Sequence, residues 1–210
     1  MDDTGEAPFR YVGGDPALDL INTVDWTDRG PAKERLVDYP AMLRWAEGAE
    51  LIDARTSHLL RNVARRRPQE ARRVMDSAHR LRAALKAVVH ELAAHRSMTS
   101  AAFASRLEVV NAALGSSLAR LRLIPHRHAL SLSWGGSGSR LESPLWAVAW
   151  SAAQLLASPE VSKLRVCAGD NCGWVYVDRS RNGLRRWCEM STCGTQRKTQ
   201  RRRARRKAGR

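Results

Sequence analysis

The chain has 210 residues, of which 43% are hydrophobic and 27% are charged, a composition typical of a globular protein with a core of its own. No segment approaches the roughly 18 consecutive apolar residues of a membrane-spanning helix. The acidic start, residues 1–6, has neither the basic nor the apolar region of a signal peptide. We therefore expect a cytoplasmic protein whose thiols stay reduced.

The net charge of +15 is concentrated near the C-terminus. Residues 161–210 contain 15 Lys and Arg against 3 Asp and Glu, a balance of +12, which leaves 21 against 18, or +3, for residues 1–160. Such a charge is the electrostatic footprint of a protein that binds a polyanion. A membrane surface fits less well, because this segment has no broad apolar face to bury.

The first third of the chain is predicted to form three helices. In GGDPALDLINTVDW (13–26), Asp15 is the expected N-cap and Pro16 the first helical residue, and a loop is expected to follow. Asp38 and Asp53 are expected to cap the second and third helices. The apolar positions at helical spacing are Leu18, Ile21 and Val24, then Met42, Leu43 and Trp45, then Leu59, Leu60 and Val63.

The next elements are longer. Apolar residues three and four positions apart predict a long amphipathic helix over residues 68–95, and a further helix is predicted around 103–114. The period then changes to two in LRLIPHRHALSLSW (121–134), which predicts a β-hairpin. A last helix is expected from a cap at Ser143 to the Ser-Pro-Glu stop at 158–160. The alternating apolar residues of the hairpin are Leu121, Leu123, Leu130, Leu132 and Trp134.

Few polar residues before the cysteine-rich segment indicate a catalytic or metal-binding site. A polar cluster near the N-terminus consists of Asp19, Asn22, Asp25 and Asp28. Capping and loop structure explain such a cluster more often than a metal site does. Glu91 and His95 lie four residues apart without a third ligand nearby, so a solvated helix face is expected there. The sequence has no nucleophile motif, phosphate loop or dinucleotide fingerprint.

All four cysteines lie in the last quarter of the chain, in two pairs with four residues inside each pair. Each pair can offer two thiolates from one tight turn, and the chain between them can fold back, as a tetrahedral Zn²⁺ site requires. Disulfides are the alternative, but they suit an oxidising compartment. We therefore predict one structural zinc ion, with no open position for a catalytic water. The predicted ligands are Cys167, Cys172, Cys188 and Cys193.

The residues around the cysteines indicate a small fold. Residues 173–178 (GWVYVD) are expected to form a strand, which Asn182-Gly183 turns into a hairpin with the returning chain. Gly194 is expected to permit a turn into a helix that Thr195 caps. A cysteine-bearing turn, or knuckle, over residues 167–172, a hairpin, and a second knuckle over residues 188–193 that opens a helix make a treble-clef arrangement. The arginines expected to offset the charge of the four thiolates are Arg165, Arg185 and Arg186.

The segment RVCAGDNCGWVYVDRSRNGLRRWCEMSTCGTQRKTQRRRARR resembles the CGNR-type zinc finger, in which two cysteine pairs bracket a D-R-S-R-N-x-x-R-R-W-C segment. GGDPALDLINTVDW and LVDYPAMLRWAEGAELID resemble the ABATE domain, which accompanies this finger in bacterial stress-response transcription regulators. The resemblance implies zinc ligation by the four cysteines and a regulatory role. Where the family name spells Cys-Gly-Asn-Arg, residues 193–196 read Cys-Gly-Thr-Gln, so that arginine is not carried over.

We thus predict a mainly α fold with a small β-hairpin. A helical ABATE-like domain is expected over residues 1–158, a linker over 159–164, a treble-clef-like zinc finger with four cysteine ligands over 165–196 and a basic helical tail over 197–210. Loss of a cysteine is expected to unfold the finger alone, because the helical domain would have a separate core.

The tail is predicted to bind phosphate. On a helical wheel five of its basic residues fall within about 140° of arc: Arg197, Lys198, Arg201, Arg202 and Arg205. Replacement of Arg201, Arg202 and Arg205 is expected to lower the slope of log affinity against log salt by up to about 0.9 per lost contact. The candidate nucleic-acid contacts are Arg179, Arg181, Arg185, Arg186, Arg197, Lys198, Arg201, Arg202 and Arg205.

We predict a transcription regulator that binds duplex DNA through the finger, with an N-terminal domain that senses a ligand or contacts proteins. RNA binding is the alternative, in which Trp174 and Tyr176 would face solvent and stack on unpaired bases. Packing of the small finger core is the other explanation for these rings. An enzyme is not expected, because treble-clef nucleases use a histidine and every histidine here lies at or before His128.

Overall fold

The helices and strands come from a computed structural model that describes residues 9–27 and 30–200. The helices are α1 (Pro16–Ile21), α2 (Tyr39–Gly48), α3 (Ala54–Arg66), α4 (Pro68–Ala93), α5 (Ala101–Leu118) and α6 (Ser143–Leu156). The antiparallel strand pairs are β1 (Val24–Thr27) with β2 (Gly30–Glu34), β3 (Leu121–His126) with β4 (Ala129–Trp134), and β5 (Leu164–Val166) with β6 (Val175–Val177). The predicted fold class, mainly α with small β elements, is confirmed.

The predicted N-caps begin the first three helices. In each case a carboxylate accepts the backbone N–H of a first-turn residue, which would otherwise have no partner within the helix. The bonds are Ala17 N–H to Asp15 at 2.8 Å, Ala41 N–H to Asp38 at 2.7 Å and Thr56 N–H to Asp53 at 2.7 Å. The cap expected of Ser143 is not formed. Glu142 occupies the N-cap position of α6, and Ser143 donates instead to the carbonyl of Ser137.

Helix α1 lies in the centre of the core. Its Leu18, Leu20 and Ile21 are fully buried and share one hydrophobic cluster with α2, α4 and α6. No helix among the described residues is long and apolar enough to cross a membrane.

A hairpin of β1 and β2 replaces the loop that was expected after the first helix. Helix α1 ends at Ile21, and Val24 lies on β1 rather than on the helix. The hydroxyl of Thr23 donates to the carbonyl of Leu20 at 2.7 Å and accepts from buried Arg82 at 2.9 Å. The Thr23 hydroxyl thus occupies the Leu20 carbonyl, which would accept the N–H of residue 24 if the helix continued, and Arg82 holds that hydroxyl in place.

Arg82 also ties the new hairpin to helix α4. Its guanidinium pairs with Glu34 on β2 through two hydrogen bonds. Burial alone would raise the pKa of Glu34, but the hydrogen bonds and charge of Arg82 lower it below its usual value. The hairpin is therefore held against the helical core by a partly buried ion pair.

The hairpin of β3 and β4 is confirmed, but its apolar face is not buried. Leu123 pairs with Leu132, and Leu130 lies on the same face. These three leucines are 65%, 53% and 66% exposed, respectively. Alternation of period two thus predicted the face correctly, and these three leucines lie outside the buried core of the described residues.

The strands β5 and β6 of the finger pack into the core of the helical domain, while the residues around the cysteines form a smaller cluster of their own. Leu164 on β5 and Val175 and Val177 on β6 are buried in the same cluster as α1 and α4. Residues 159–163, part of the predicted linker, form a 3₁₀ helix whose Val161 packs against that cluster. The expectation of a separate N-terminal core is therefore wrong, and the exact domain boundaries stay a prediction.

Candidate metal centre and nucleic-acid interface

The first cysteine pair lies in the loop between β5 and β6. The strands pair from Leu164 with Val177 to Val166 with Val175, and the loop closes as Cys167 N–H donates to the carbonyl of Trp174 at 2.8 Å. The predicted strand over 173–178 is thus present as β6, but its partner is β5. The hairpin expected with the chain after Asn182-Gly183 is wrong, although a turn is formed there.

The second pair brackets a wide turn. Residues Met190–Gly194 form a single π-type turn, and residues 195–200 continue as an α-helix. Thr195 has helical backbone angles, and its hydroxyl donates to the carbonyl of Met190 at 3.1 Å. Thr195 is therefore part of the turn and not the cap that was expected, because the chain enters the helix without a break.

The four sulfur atoms meet in one cluster. All lie within 4.8 Å of one another, with Cys188 Sγ 3.6 Å from Cys172 Sγ and 3.7 Å from Cys193 Sγ. A tetrahedral ion with Zn–S bonds of about 2.3 Å needs sulfurs about 3.8 Å apart, whereas a disulfide needs about 2.05 Å. The four cysteines are free thiols positioned to bind one zinc ion, which confirms the predicted cofactor.

Hydrogen bonds to sulfur prepare the cluster for a cation. The backbone N–H groups of Gly169 and Cys188 donate to Cys167 Sγ at 3.3 and 3.2 Å. The pKa of Cys167 is lowered because the thiols of Cys172 and Cys188 and these amides donate to it, while the pKa of Cys188 is raised by the same sharing. The amide donors stabilise thiolate at Cys167, the form that binds zinc.

Arg185 holds the chain just before the third cysteine. Its guanidinium donates to the carbonyls of Trp187 at 3.0 Å and Val12 at 3.1 Å, and also to that of Cys188. The same group stacks over the ring of Tyr176, 4.1 Å from the centroid. Arg185 therefore acts as a brace that fixes Cys188 against β6.

Gly169 lies where the two knuckles approach each other, and a side chain has no room there. A Cβ atom at this position would lie 2.9 Å from Cys193 Sγ and 3.0 Å from Cys193 Cβ. We expect Gly169→Ala to displace Cys193 and to weaken zinc affinity by about 10- to 100-fold, the range for groups that support metal ligands. Competition with a chromogenic chelator measures this affinity.

Gly115→Ala is the matched control for this substitution. A Cβ atom there would meet nothing within 4 Å, and the residue lies in helix α5. We expect unchanged zinc affinity and a gain of about 0.5–1 kcal/mol in stability, because alanine loses less backbone entropy than glycine in a helix. Equal zinc affinity for both variants would show that the ligands do not depend on the close approach of Gly169.

Asn22 links the helical domain to the finger by a pair of buried hydrogen bonds. Its side-chain amide donates to the carbonyl of Val175 at 2.9 Å and accepts the N–H of Val175 at 3.0 Å. Asn22 is 1% exposed. The amide thus takes the place of a neighbouring strand beside β6, because it satisfies both backbone groups of one residue.

Further contacts extend this link, and residues 10–24 are called here the N-terminal clamp. Its backbone carbonyls accept from the finger, and its one salt bridge among the described residues joins Arg10 to Glu189 at 2.6 Å. The backbone bonds are Val177 N–H to Gly13 at 2.9 Å, Trp174 indole to Val24 at 3.0 Å and Arg179 to Gly14 at 2.6 Å. The clamp holds β6 and the second cysteine turn, residues 188–193, to the helical core.

The predicted nucleic-acid contacts fall into four groups. Arg181, Arg186 and Lys198 are exposed without a carboxylate partner among the described residues. Arg179 is bound to Glu160 at 2.6 and 2.9 Å, and Arg197 is bound to Asp170 at 2.9 and 3.1 Å. Arg185 is the brace described above. Arg201, Arg202 and Arg205 lie outside the described residues.

The two aromatic residues that were considered for base stacking belong to the core of the finger. Trp174 is 5% exposed and Tyr176 is 1% exposed, and the Tyr176 hydroxyl donates to the carbonyl of Arg185 at 2.7 Å. Packing therefore explains both rings. Sequence reasoning missed the roles of Asn22 and Arg185, although a polar residue inside the apolar run LDLINTV is a signal that Asn22 has a buried partner.

A helical domain that shares its core with a four-cysteine zinc site defines a zinc-finger protein. Residues 14–159 match the ABATE family, described as "Putative stress-induced transcription regulator", and residues 163–206 match the CGNR zinc finger. The first match spans more than half of the chain, so the chain belongs to the ABATE family. No curated protein matches it.

Proposed function

We propose that the protein is a cytoplasmic transcription regulator that binds duplex DNA through its zinc finger and basic tail. The proposal rests on exposed basic side chains that lie close in sequence to the zinc ligands and have no carboxylate partner among the described residues. Arg181, Arg186 and Lys198 are exposed on the finger, and seven of residues 201–210 are Lys or Arg. Cations on a braced scaffold suit the phosphate contacts that dominate DNA affinity.

The structure narrows the proposed contacts. We leave out Arg185, because its guanidinium donates three hydrogen bonds to backbone carbonyls and lies over the ring of Tyr176. We also leave out Arg179, since its ion pair with Glu160 and its bond to Gly14 hold the finger to the clamp. A phosphate contact by either residue would first break these bonds.

RNA binding is the weaker proposal, because burial of Trp174 and Tyr176 removes the rings that would stack on unpaired bases.

We also propose that the protein acts by binding and not by catalysis. Four sulfur ligands complete the coordination of zinc and leave no position for a reactive water.

Salt-dependent binding tests the proposal. We expect the zinc-loaded protein to bind duplex DNA, with log affinity falling linearly against log salt between about 50 and 200 mM. The variant Arg181→Ala/Lys198→Ala should bind more weakly, and its slope should fall by about 0.9 for each phosphate contact that is lost. Fluorescence anisotropy of a labelled duplex gives both quantities, and single-stranded RNA as competitor ranks the two nucleic acids.

The matched control is Arg66→Ala/Arg73→Ala, which removes the same charge from exposed positions on α3 and α4. We expect its slope to equal that of the wild type. If both double variants lose the same slope, net charge and not the finger surface governs binding. If the wild type binds no duplex at the lowest salt, the proposal of DNA binding is wrong.

For the helical domain we propose ligand sensing. A cavity of about 730 Å³ lies between the start of α2, the end of α3 and the start of α4, a size typical of small-molecule sites. Tyr39, Ala71 and Met75 supply an apolar wall. Three arginines and two aspartates also line the cavity, so the arginines outnumber the carboxylates by one: Arg61, Arg65, Arg72, Asp38 and Asp76. The Arg61 Nε atom is buried and has no hydrogen-bond partner among the described residues. An amphipathic organic anion fits this lining.

Decanoate serves as a probe of this cavity. We expect the melting temperature to rise with decanoate concentration, because a ligand that binds only the folded state stabilises it by mass action. Arg61→Ala should abolish the rise, whereas Arg66→Ala, outside the cavity, should keep it. If the melting temperature rises equally in both variants, decanoate binds nonspecifically. Protein contacts would then remain as the role of this domain, and the exposed leucines of β3 and β4 favour such contacts.

A further inference from the structure

A small notch on the finger has a lining suited to an anion. It has a volume of about 350 Å³ and is lined by Ala168, Arg186, Trp187 and Arg197. Ala168 follows the first zinc ligand and Trp187 precedes the third, so the metal centre fixes the two sides of the notch relative to each other. Both arginines are exposed to solvent.

The indole N–H of Trp187 is the feature that indicates a ligand. The Nε1 atom is buried and finds no acceptor among the described residues, although nearly all buried polar groups in proteins are partnered. The other finger tryptophan, Trp174, donates its indole N–H to the carbonyl of Val24. An acceptor is therefore missing at Trp187.

The two arginines line the same notch as Trp187, and contacts with finger residues restrain both. The Arg186 guanidinium lies over the Trp187 ring, 5.6 Å from its centroid. Arg197 is fixed by Asp170, which accepts two hydrogen bonds from it at 2.9 and 3.1 Å. The guanidinium of Arg197 has further N–H groups, and the one carboxylate offsets only one of the two positive charges.

A ligand that satisfies this lining needs several acceptor oxygens and a negative charge. A phosphodiester has both, whereas the edge of a base is neutral and does not balance two guanidinium groups. We propose that the notch binds one backbone phosphate of DNA, with the indole N–H of Trp187 and the guanidinium groups of Arg186 and Arg197 as donors. This inference rests on the proposed function and names a contact within it.

The donors differ in charge, and salt dependence separates them. We expect Trp187→Phe, which keeps an aromatic ring of smaller size and loses the N–H, to lower affinity several-fold for all duplex sequences with an unchanged salt slope. A neutral donor releases no counterion, whereas Arg186→Ala should reduce the slope by about 0.9. In ¹⁵N-labelled protein, the indole resonance that disappears in Trp187→Phe should shift when duplex is added to the wild type.

Zinc content and melting temperature, measured on each variant, confirm that the finger stays folded, and Arg66→Ala is the charge-matched control. If the indole resonance does not move when duplex binds and Trp187→Phe keeps the wild-type affinity, the proposed phosphate contact in the notch is wrong, while the proposal of DNA binding stands. If the indole resonance shifts with inorganic phosphate but not with duplex, the notch is a site for small anions, and the proposed contact with DNA is also wrong. Loss restricted to certain sequences indicates a base contact instead. Absence of duplex binding by the wild type contradicts the proposed function itself.

Discussion

Replacement of Cys188 by Ser is expected to release zinc and to destabilise the whole chain, not the finger alone. A four-sulfur site that loses one thiolate binds zinc far more weakly, and a module this small does not fold without its metal. Leu164, Val175 and Val177 would then leave the shared core, at about 1.5–3 kcal/mol for each buried side chain. This loss is a large fraction of the 5–15 kcal/mol, roughly, that stabilises a domain.

Zinc stoichiometry and the thermal melt of the helical circular dichroism signal measure the effect. Because the helices of residues 16–156 give most of that signal, a lower melting temperature reports on the helical domain. Ser191→Ala is the control, since Ser191 is exposed between Cys188 and Cys193 and does not ligate a metal. If Cys188→Ser loses zinc and melts at the temperature of the wild type, the shared core contributes little and the two parts fold independently.

Replacement of Asn22 by Ala is expected to loosen the link between finger and helical domain while zinc remains bound. The substitution leaves the N–H and C=O of Val175 buried without partners, and each unsatisfied group costs about 1–3 kcal/mol. We therefore expect the free energy of unfolding to fall by about 2–5 kcal/mol. The zinc ligands themselves are untouched, because Asn22 contacts β6 and not a knuckle.

Urea denaturation gives the change in free energy, and hydrogen exchange at the Val175 amide locates it. Exchange there should accelerate far more than at amides in the middle of α4. Asn111→Ala is the matched control, since Asn111 is exposed on α5, and its stability should stay near that of the wild type. An unchanged Val175 exchange rate in Asn22→Ala would contradict the bridging role of this amide.

The caps and the zinc ligands could be predicted because they depend on few neighbouring residues. A carboxylate at Asp15, Asp38 or Asp53 reaches N–H groups two or three residues away, so the first three helices begin where the sequence indicates. The cysteine pairs could be assigned to zinc because two closely spaced pairs of thiols suit a tetrahedral ion. The alternation over residues 121–134 likewise predicted a hairpin.

Other features depended on contacts that no local pattern encodes. The helical spacing of Leu18, Ile21 and Val24 favoured a longer first helix, and only the bonds of Thr23 with Leu20 and Arg82 show why it ends early. Residues 164–166 are too few to show a strand pattern in the sequence. The sequence therefore predicted that β6 pairs with the chain that follows it, whereas its partner β5 precedes it. The exposure of Leu123, Leu130 and Leu132 also lies beyond what alternation predicts.

Local patterns and composition were enough to establish the mainly helical class, the zinc ligand set and the concentration of positive charge near the C-terminus. The three-dimensional arrangement was needed to show that β5 and β6 pack into the helical core, that Asn22 reaches Val175 across 153 residues of sequence, and that Arg185 is a brace. Hydrogen bonds and burial depend on distance in space, and residues that are close in space can be far apart in the sequence. A guanidinium that binds carbonyls and one that faces solvent are the same letter in the sequence.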